Sequence, residues 1–144
     1  MASQQQRYGS SSYRTEDQRL LRGHGRFTDD LPKPNQACAG FARAPLEHAT
    51  IRAIDTGRVL DMPGVLAVLT GADLAADGIG AIPPLVVPSG RDGKPMISAP
   101  LPVLAVERVR YVGEPLAIVV AETQTQAQDA AEALAPALDA LPAA

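Results

Sequence analysis

The sequence predicts a small α/β or α+β domain, a small mixed sheet layered by packing helices and interrupted by one long proline-rich loop. Three observations predict it. Short apolar runs of strand length recur along the chain, Val65–Leu69 and Leu116–Ala121 being the clearest. Capped stretches with helical spacing alternate with them, the best beginning at Thr123. Between Ala75 and Pro102 fall Pro83, Pro84, Pro88, Pro95, Pro100 and Pro102 together with four glycines, a density that no regular element tolerates.

The length, 144 residues, suits one domain. A chain of this size buries about 68–70% of its unfolded surface without staples. Tyr8, Tyr13, Tyr111, Phe27 and Phe41 are its aromatic residues, and much of its 46% hydrophobic content is alanine, so the core should be thin and closely packed. The net charge of −3 argues against a nucleic-acid binder, whose footprint is a strong basic excess. Cys38 is the single cysteine, which excludes an internal disulfide framework and a cysteine-rich zinc or iron–sulfur site. No apolar run approaches the length of a membrane span, and the first residues lack the apolar core of a signal peptide. A cytoplasmic location is the expectation.

Taken in order, residues 1–13 are mostly Gln, Ser and Gly and read as a disordered lead-in. Thr15-Glu16-Asp17-Gln18 fits a capping box with Thr15 as N-cap, and a short helix through Arg22 would stop at a left-handed Gly23. Pro32 and Pro34 break whatever follows Asp29-Asp30. Ala37–Arg43 reads as a strand of small residues. His48–Ile54 reads as a second, with Ala49, Ile51 and Ala53 on one face. Asp55-Thr56 can cap a short helix through Leu60, and Met62-Pro63-Gly64 turns the chain. Val65–Leu69, all apolar, suits a sheet centre, and Gly71-Ala72-Asp73-Leu74 ends it. After the proline-rich stretch, Val109–Val112 makes a strand, Gly113-Glu114-Pro115 a turn or bulge, and Leu116–Ala121 a buried strand. Thr123-Gln124-Thr125-Gln126 is a second capping box. Ala127, Ala130, Ala131 and Leu134 then form one apolar stripe, with Gln124, Gln128, Asp129 and Glu132 turned away. Pro136 ends this helix, and Ala137–Leu141 suits a short edge strand.

Patterns that carry chemistry are sparse. Gly23-His24-Gly25 lacks the third glycine and the preceding strand of a dinucleotide fingerprint, and there is no phosphate loop. His24 and His48 each stand alone, and are read as a solvated loop residue and a strand-start residue bonded to backbone. Asp29-Asp30 is read as a turn, in which Asp bonds its own backbone. Cys38 is read as a buried packing residue. Arg19, Arg22, His24 and Arg26 concentrate positive charge, either as an anion or partner surface or as a solvated face balanced by Glu16, Asp17, Asp29 and Asp30.

Four stretches, in this order, resemble one family. Arg14-Thr15-Glu16-Asp17-Gln18-Arg19-Leu20-Leu21-Arg22-Gly23-His24-Gly25-Arg26-Phe27-Thr28-Asp29-Asp30 resembles the opening of bacterial molybdenum-hydroxylase large subunits. Arg43-Ala44-Pro45-Leu46-Glu47-His48-Ala49-Thr50-Ile51 resembles their next strand pair. Met62-Pro63-Gly64-Val65 through Leu69-Thr70-Gly71-Ala72-Asp73-Leu74 is similar to a third block, and Val109-Arg110-Tyr111-Val112-Gly113-Glu114-Pro115 through Val120-Ala121-Glu122-Thr123 to a fourth. Ala44, Leu46 and Glu47 depart from the family pattern, as does Ala135–Ala140, where Pro136 confines the last strand to an edge.

The family is that of xanthine dehydrogenase and aldehyde oxidase. The resemblance implies an α+β fold, the α/β-hammerhead, over residues 14–144. It implies a non-catalytic N-terminal structural and assembly domain of a molybdopterin-binding large subunit, with a free-standing accessory or binding module as the alternative. No catalytic, cofactor-binding or metal residue carries over to this chain. Molybdopterin, [2Fe–2S] clusters and FAD are implied for the parent enzyme, on later domains or partner subunits. The expected partners are the remaining molybdenum domains and the iron–sulfur and FAD subunits, with neither nucleic acid nor membrane. Arg19, Arg22, Arg26 and Phe27, with the proline-rich loop, are the expected interdomain surface.

Overall fold

The computed structural model describes residues 14–31, 33–96 and 101–142. The expected lead-in at 1–13, Pro32, and Pro100 within the long loop lie outside the described residues. The chain divides into two compact units, Met1–Gln36 and Ala37–Ala144.

In the first unit, α1 spans Asp17–Leu21. The capping box expected at Thr15 does not form. The Asp17 N–H donates to the Arg14 carbonyl at 3.0 Å, closing a turn, and Glu16 enters the helix with helical backbone angles and no side-chain cap. A capping Thr15 would need an extended backbone at the position this turn winds up. The helix stops as expected. Gly23 takes φ +70°, its N–H reaching the Leu20 carbonyl at 3.1 Å while the His24 N–H reaches that of Arg19 at 3.0 Å. Thr28–Asp30 is a single 3₁₀ turn, and the Asp30 carboxylate accepts from the Phe27 N–H at 3.0 Å.

The second unit carries two three-stranded sheets, all of whose pairings are antiparallel. Its strands are β1 (Cys38–Arg43), β2 (Ala49–Ile54), β3 (Val65–Thr70), β4 (Arg108–Val109), β5 (Pro115–Ala121) and β6 (Pro136–Ala140). The first sheet has the order β1-β5-β3 and the second β4-β2-β6. The all-apolar β3 is therefore an edge strand rather than the centre. β5 takes the centre because it is longer and apolar toward both faces, with Leu116, Ala117, Val119 and Ala121 buried. Three helices accompany the sheets: α2 (Gly57–Leu60), α3 (Gly71–Ala76) and α4 (Gln124–Ala133).

The sheets pack into two cores. In one, the α4 stripe (Ala127, Ala130, Ala131 and, just past its end, Leu134) is buried, and all but Ala127 pack with Ala42, Ala117, Val119 and Val59 of α2. Alanines let the helix approach closely: a Cβ built on Gly40 would stand 2.4 Å from the Ala127 carbonyl oxygen. The other core holds Ala44, Ala49, Ala105, Val109 and Leu116, flanked by Leu46, Ile51, Ile54 and Leu138. Leu116 joins the two. The register of β1 on β5 passes from Ala42↔Ala117 to Arg43↔Pro115, so Leu116 is the extra residue of a bulge and enters the second core.

Several expected details change. Ala53 is exposed and Ile54 faces the core, because a register shift between Ile51 and Ala53 reverses the alternation of β2. The strand expected over Val109–Val112 stops at Val109. The Arg110 N–H turns to the Glu114 carboxylate, and the Glu114 N–H closes a turn on the Tyr111 carbonyl at 3.2 Å, with Gly113 at φ +86°. Gly71–Leu74 does not merely end β3 but starts α3, capped by Thr70 and Asp73. β6 is an edge strand with Pro136 at its first position, where a missing donor costs the ladder least. Among its described residues, the proline-rich segment after α3 has two isolated bridges, Ile82↔Leu101 and Ser89↔Pro95. Among the described residues no helix is long and apolar enough to cross a membrane.

Candidate partner-facing surfaces

The largest feature is a face of the first sheet. Paired residues of neighbouring antiparallel strands point to the same side. On the side of α4 lie Gly40, Ala42, Ala117 and Val119, all buried. On the opposite side Ala39, Val120 and Ala67 form one row, and Phe41, Ile118 and Leu69 another. None of these six is buried, and Phe41 is 45% exposed. Arg43 places its guanidinium 5.5 Å from the Phe41 ring centroid and donates to the Gly113 carbonyl at 2.9 Å.

The long loop adds apolar surface of its own. Leu85 is fully exposed, and Ile79, Ile82, Val86, Val87, Met96 and Leu101 are each about half exposed or more. Isolated exposed apolar residues are ordinary, and this segment gathers seven of them.

In the first unit, the four interface residues expected from sequence are all exposed. Glu16 serves Arg14 at 3.6 Å and Arg19 at 3.9 Å, both pairs solvent-facing. Among the described residues no ion pair reaches Arg22 or Arg26. Phe27, one of the expected interface residues, is 67% exposed, and Leu21, not singled out from sequence, is 88% exposed.

The remaining residues singled out from sequence stay apart. His24 is exposed, and the His48 Nδ1 lies 2.8 Å from the Pro142 carbonyl oxygen, the backbone bond expected of a strand-start histidine. Cys38 is half-buried at the start of β1, not buried as expected, since it opens the strand at the sheet's edge. Among the described residues no three His, Cys, Asp or Glu side chains converge on a point where a metal could sit. A [2Fe–2S] cluster takes four protein ligands, typically cysteine thiolates, so a chain with one cysteine does not fit that group.

Sequence reasoning missed one buried charge. Glu114 is 2% exposed. Its carboxylate accepts the Arg110 N–H, with the Arg110 guanidinium 3.6 Å away, and its carbonyl accepts from the Ala44 N–H at 2.9 Å. It pins the turn between β4 and β5. An acid between Gly113 and Pro115 carried the signal of a turn, but not of burial.

A family model described as "Aldehyde oxidase and xanthine dehydrogenase, a/b hammerhead domain" matches residues 22–138. The chain is 42% identical over 119 residues to the nicotine 6-hydroxylase large subunit of Paenarthrobacter nicotinovorans, covering 83% of this chain and 14% of that one. It is 34% identical over 141 residues to the carbon monoxide dehydrogenase large chain of Afipia carboxidovorans, covering 98% and 16%. Among solved structures, quinoline 2-oxidoreductase from Pseudomonas putida 86 superposes with a TM-score of 0.79 at 34% identity, over 94% of this chain and 16% of that one. The chain thus spans about a sixth of the length of these relatives.

Proposed function

Because the chain belongs to the aldehyde oxidase and xanthine dehydrogenase family, as its a/b hammerhead domain, we propose that it is the non-catalytic structural and assembly domain of a molybdenum-cofactor hydroxylase large subunit. The domain runs over residues 14–144, and its work is to pack against the molybdenum domains that make up the rest of that subunit. The parent enzyme carries molybdopterin, [2Fe–2S] clusters and FAD outside this segment, in the cytoplasm, with iron–sulfur and FAD subunits as further partners. The chain's own residues supply contact rather than chemistry.

The observation that carries this is the open face of the first sheet. Phe41 is exposed and Leu69, Ile118 and Val120 are partly exposed; all four are apolar and adjacent in register, on the face opposite the one against which α4 packs. A sheet apolar on both faces is stable in water when both are covered. The arginine segment supplies the polar component, since Arg22 and Arg26 can each make bidentate pairs with carboxylates of a neighbouring domain.

Co-expression of the chain with the nicotine 6-hydroxylase large subunit lacking its own matched segment tests the proposal. A complex that co-purifies through size exclusion is the expected result. Arg22→Glu with Arg26→Glu weakens that complex and leaves the melting curve of the isolated chain unchanged. A chain that stays monomeric beside the remaining subunit is a free-standing module, and the assembly role falls.

A further inference from the structure

The first sheet also has an edge at which no described residue of the second unit pairs. β1 is its outer strand. Ala44, the residue after β1, turns both backbone groups toward the neighbouring turn. Its N–H donates to the Glu114 carbonyl at 2.9 Å, and its carbonyl accepts from the Gly113 N–H at 2.8 Å. Backbone groups alternate in direction along a strand. Ala42, Gly40 and Cys38 therefore address β5, and Arg43, Phe41 and Ala39 address the open edge. Pro115 agrees with this phase. It faces Arg43 with no N–H to give, and its carbonyl accepts from the Ala105 N–H, on the side away from β1.

An open edge is ordinarily blunted by lysine, proline, a bulge of its own or an inward charge. Cys38-Ala39-Gly40-Phe41-Ala42 has none of these, and the bulge beside Arg43 belongs to β5. Along this edge runs an open groove of about 310 Å³ between β1 and α4. Gly40 and Ala131 keep it shallow beside the β1 backbone at Ala39, and Gln124, Gln128 and Glu132 stand on the helix side. A row of backbone donors and acceptors that no described residue pairs, beside a helix with a shallow groove between, matches an extended polypeptide that continues the sheet.

We propose that β1 receives an added β-strand from the part of the large subunit that lies outside this chain. The strand pairs with the backbone of Ala39, Phe41 and Arg43 and seats a small side chain in the groove against Gly40 and Ala131. The occupant is chosen because the relatives hold most of their polypeptide outside the matched segment, so this inference rests on the assembly role proposed above.

Amide hydrogen exchange on the co-expressed complex tests it without any substitution. The Ala39, Phe41 and Arg43 amides, open in the free chain, should exchange roughly tenfold or more slowly in the complex, as for a newly formed backbone bond. Phe41→Pro removes an outward N–H and no internal one, so it should weaken the complex by about tenfold, while Phe41→Ala, which keeps the N–H, weakens it less. A complex that forms with these amides exchanging as in the free chain overturns the added strand and leaves the assembly role standing. Absence of any complex overturns both. If Phe41→Pro fails to fold, the exchange rates of the unsubstituted chain decide alone.

Discussion

In the second sheet the face turned from the core carries Thr50, Arg108 and Asp139, and Arg52 pairs with Asp139 across it. In the first sheet the corresponding face carries Phe41, Leu69, Ile118 and Val120. The inner faces are alike, small and apolar in both. The second sheet is complete as it stands, apolar inward and polar outward, the pattern of an antiparallel sheet that meets water. The first is built as the middle layer of something thicker. Under the assembly role proposed above, that contrast, more than any single residue, separates the part of the domain that meets solvent from the part that meets a partner.

The sharpest way to break the comparison is through the residue that ties the two sheets together. Leu116 leaves the first sheet at a bulge and fills the second core, fully buried among Ala44, Ala49, Ala105 and Val109. With neighbours this small, little can collapse into the space it vacates. Leu116→Ala should cost about 2–5 kcal/mol in a urea titration. A loss near that of an exposed substitution would mean that the second core does not depend on it. Next in size is the covered face. At Gly40 an added methyl meets the α4 backbone, and Gly40→Ala should cost about 1–3 kcal/mol, whereas Ala39→Val on the open side stays within about 0.5 kcal/mol.

The helix over that face gives a third measurement. Ala130 is fully buried and Gln128 exposed. Ala130→Leu overpacks the contact and should cost roughly 1–3 kcal/mol, while Gln128→Leu costs little. Equal losses would show that the helix packs by some other stripe. The open face sharpens the contrast from the other side. Leu69→Thr with Ile118→Thr should take only about 1 kcal/mol each from the isolated chain, since both are already partly exposed, yet abolish co-purification with the remaining large subunit. If the doubly substituted chain still assembles, the open face is not the contact.

Much of this was legible in the residues because it follows from periodicity. The stripe Ala127-Ala130-Ala131-Leu134, the strand over Leu116–Ala121, the left-handed Gly23 and the edge position of Pro136 all repeat local rules, although Ile118 and Val120 of that strand are partly exposed where the apolar run predicts burial. What escaped was set by partners distant in sequence. Val65–Leu69 has the composition of a central strand, but strand order is decided by which strand is apolar on both faces and long enough to serve two neighbours, and β5 is. The phase of β2 was lost to a shift that no spacing announces. The open face was half legible: the apolar run of β5 demands cover on both sides, and the sequence offers a single long amphipathic helix to provide it. Glu114 was hidden because a turn residue and a buried ion-pair residue look alike until Arg110 is folded back over it.

The smallest expected effect lies at the end of β3, where the chain turns into α3. The Thr70 N–H donates to the Asp73 carboxylate at 2.7 Å and the Thr70 hydroxyl at 2.6 Å, and the Asp73 N–H returns to the Thr70 hydroxyl at 3.4 Å. The bond from the Thr70 side chain, followed by that from its backbone, holds the Asp73 carboxyl below the usual aspartate range. A carboxyl depressed on folding lends its stability above its unfolded pKa and loses it as the pH falls through the folded value. The cap should therefore be intact at neutral pH and fade only in acid. Thr70→Val removes the larger of the two donors and leaves the backbone one, so a carboxyl titration followed by NMR should find the Asp73 midpoint raised toward, but not reaching, that of a free aspartate. Because the group is exposed, the shift should barely move the melting temperature at pH 7. A midpoint unchanged in Thr70→Val would assign the depression to the backbone donors of Thr70 and Asp73.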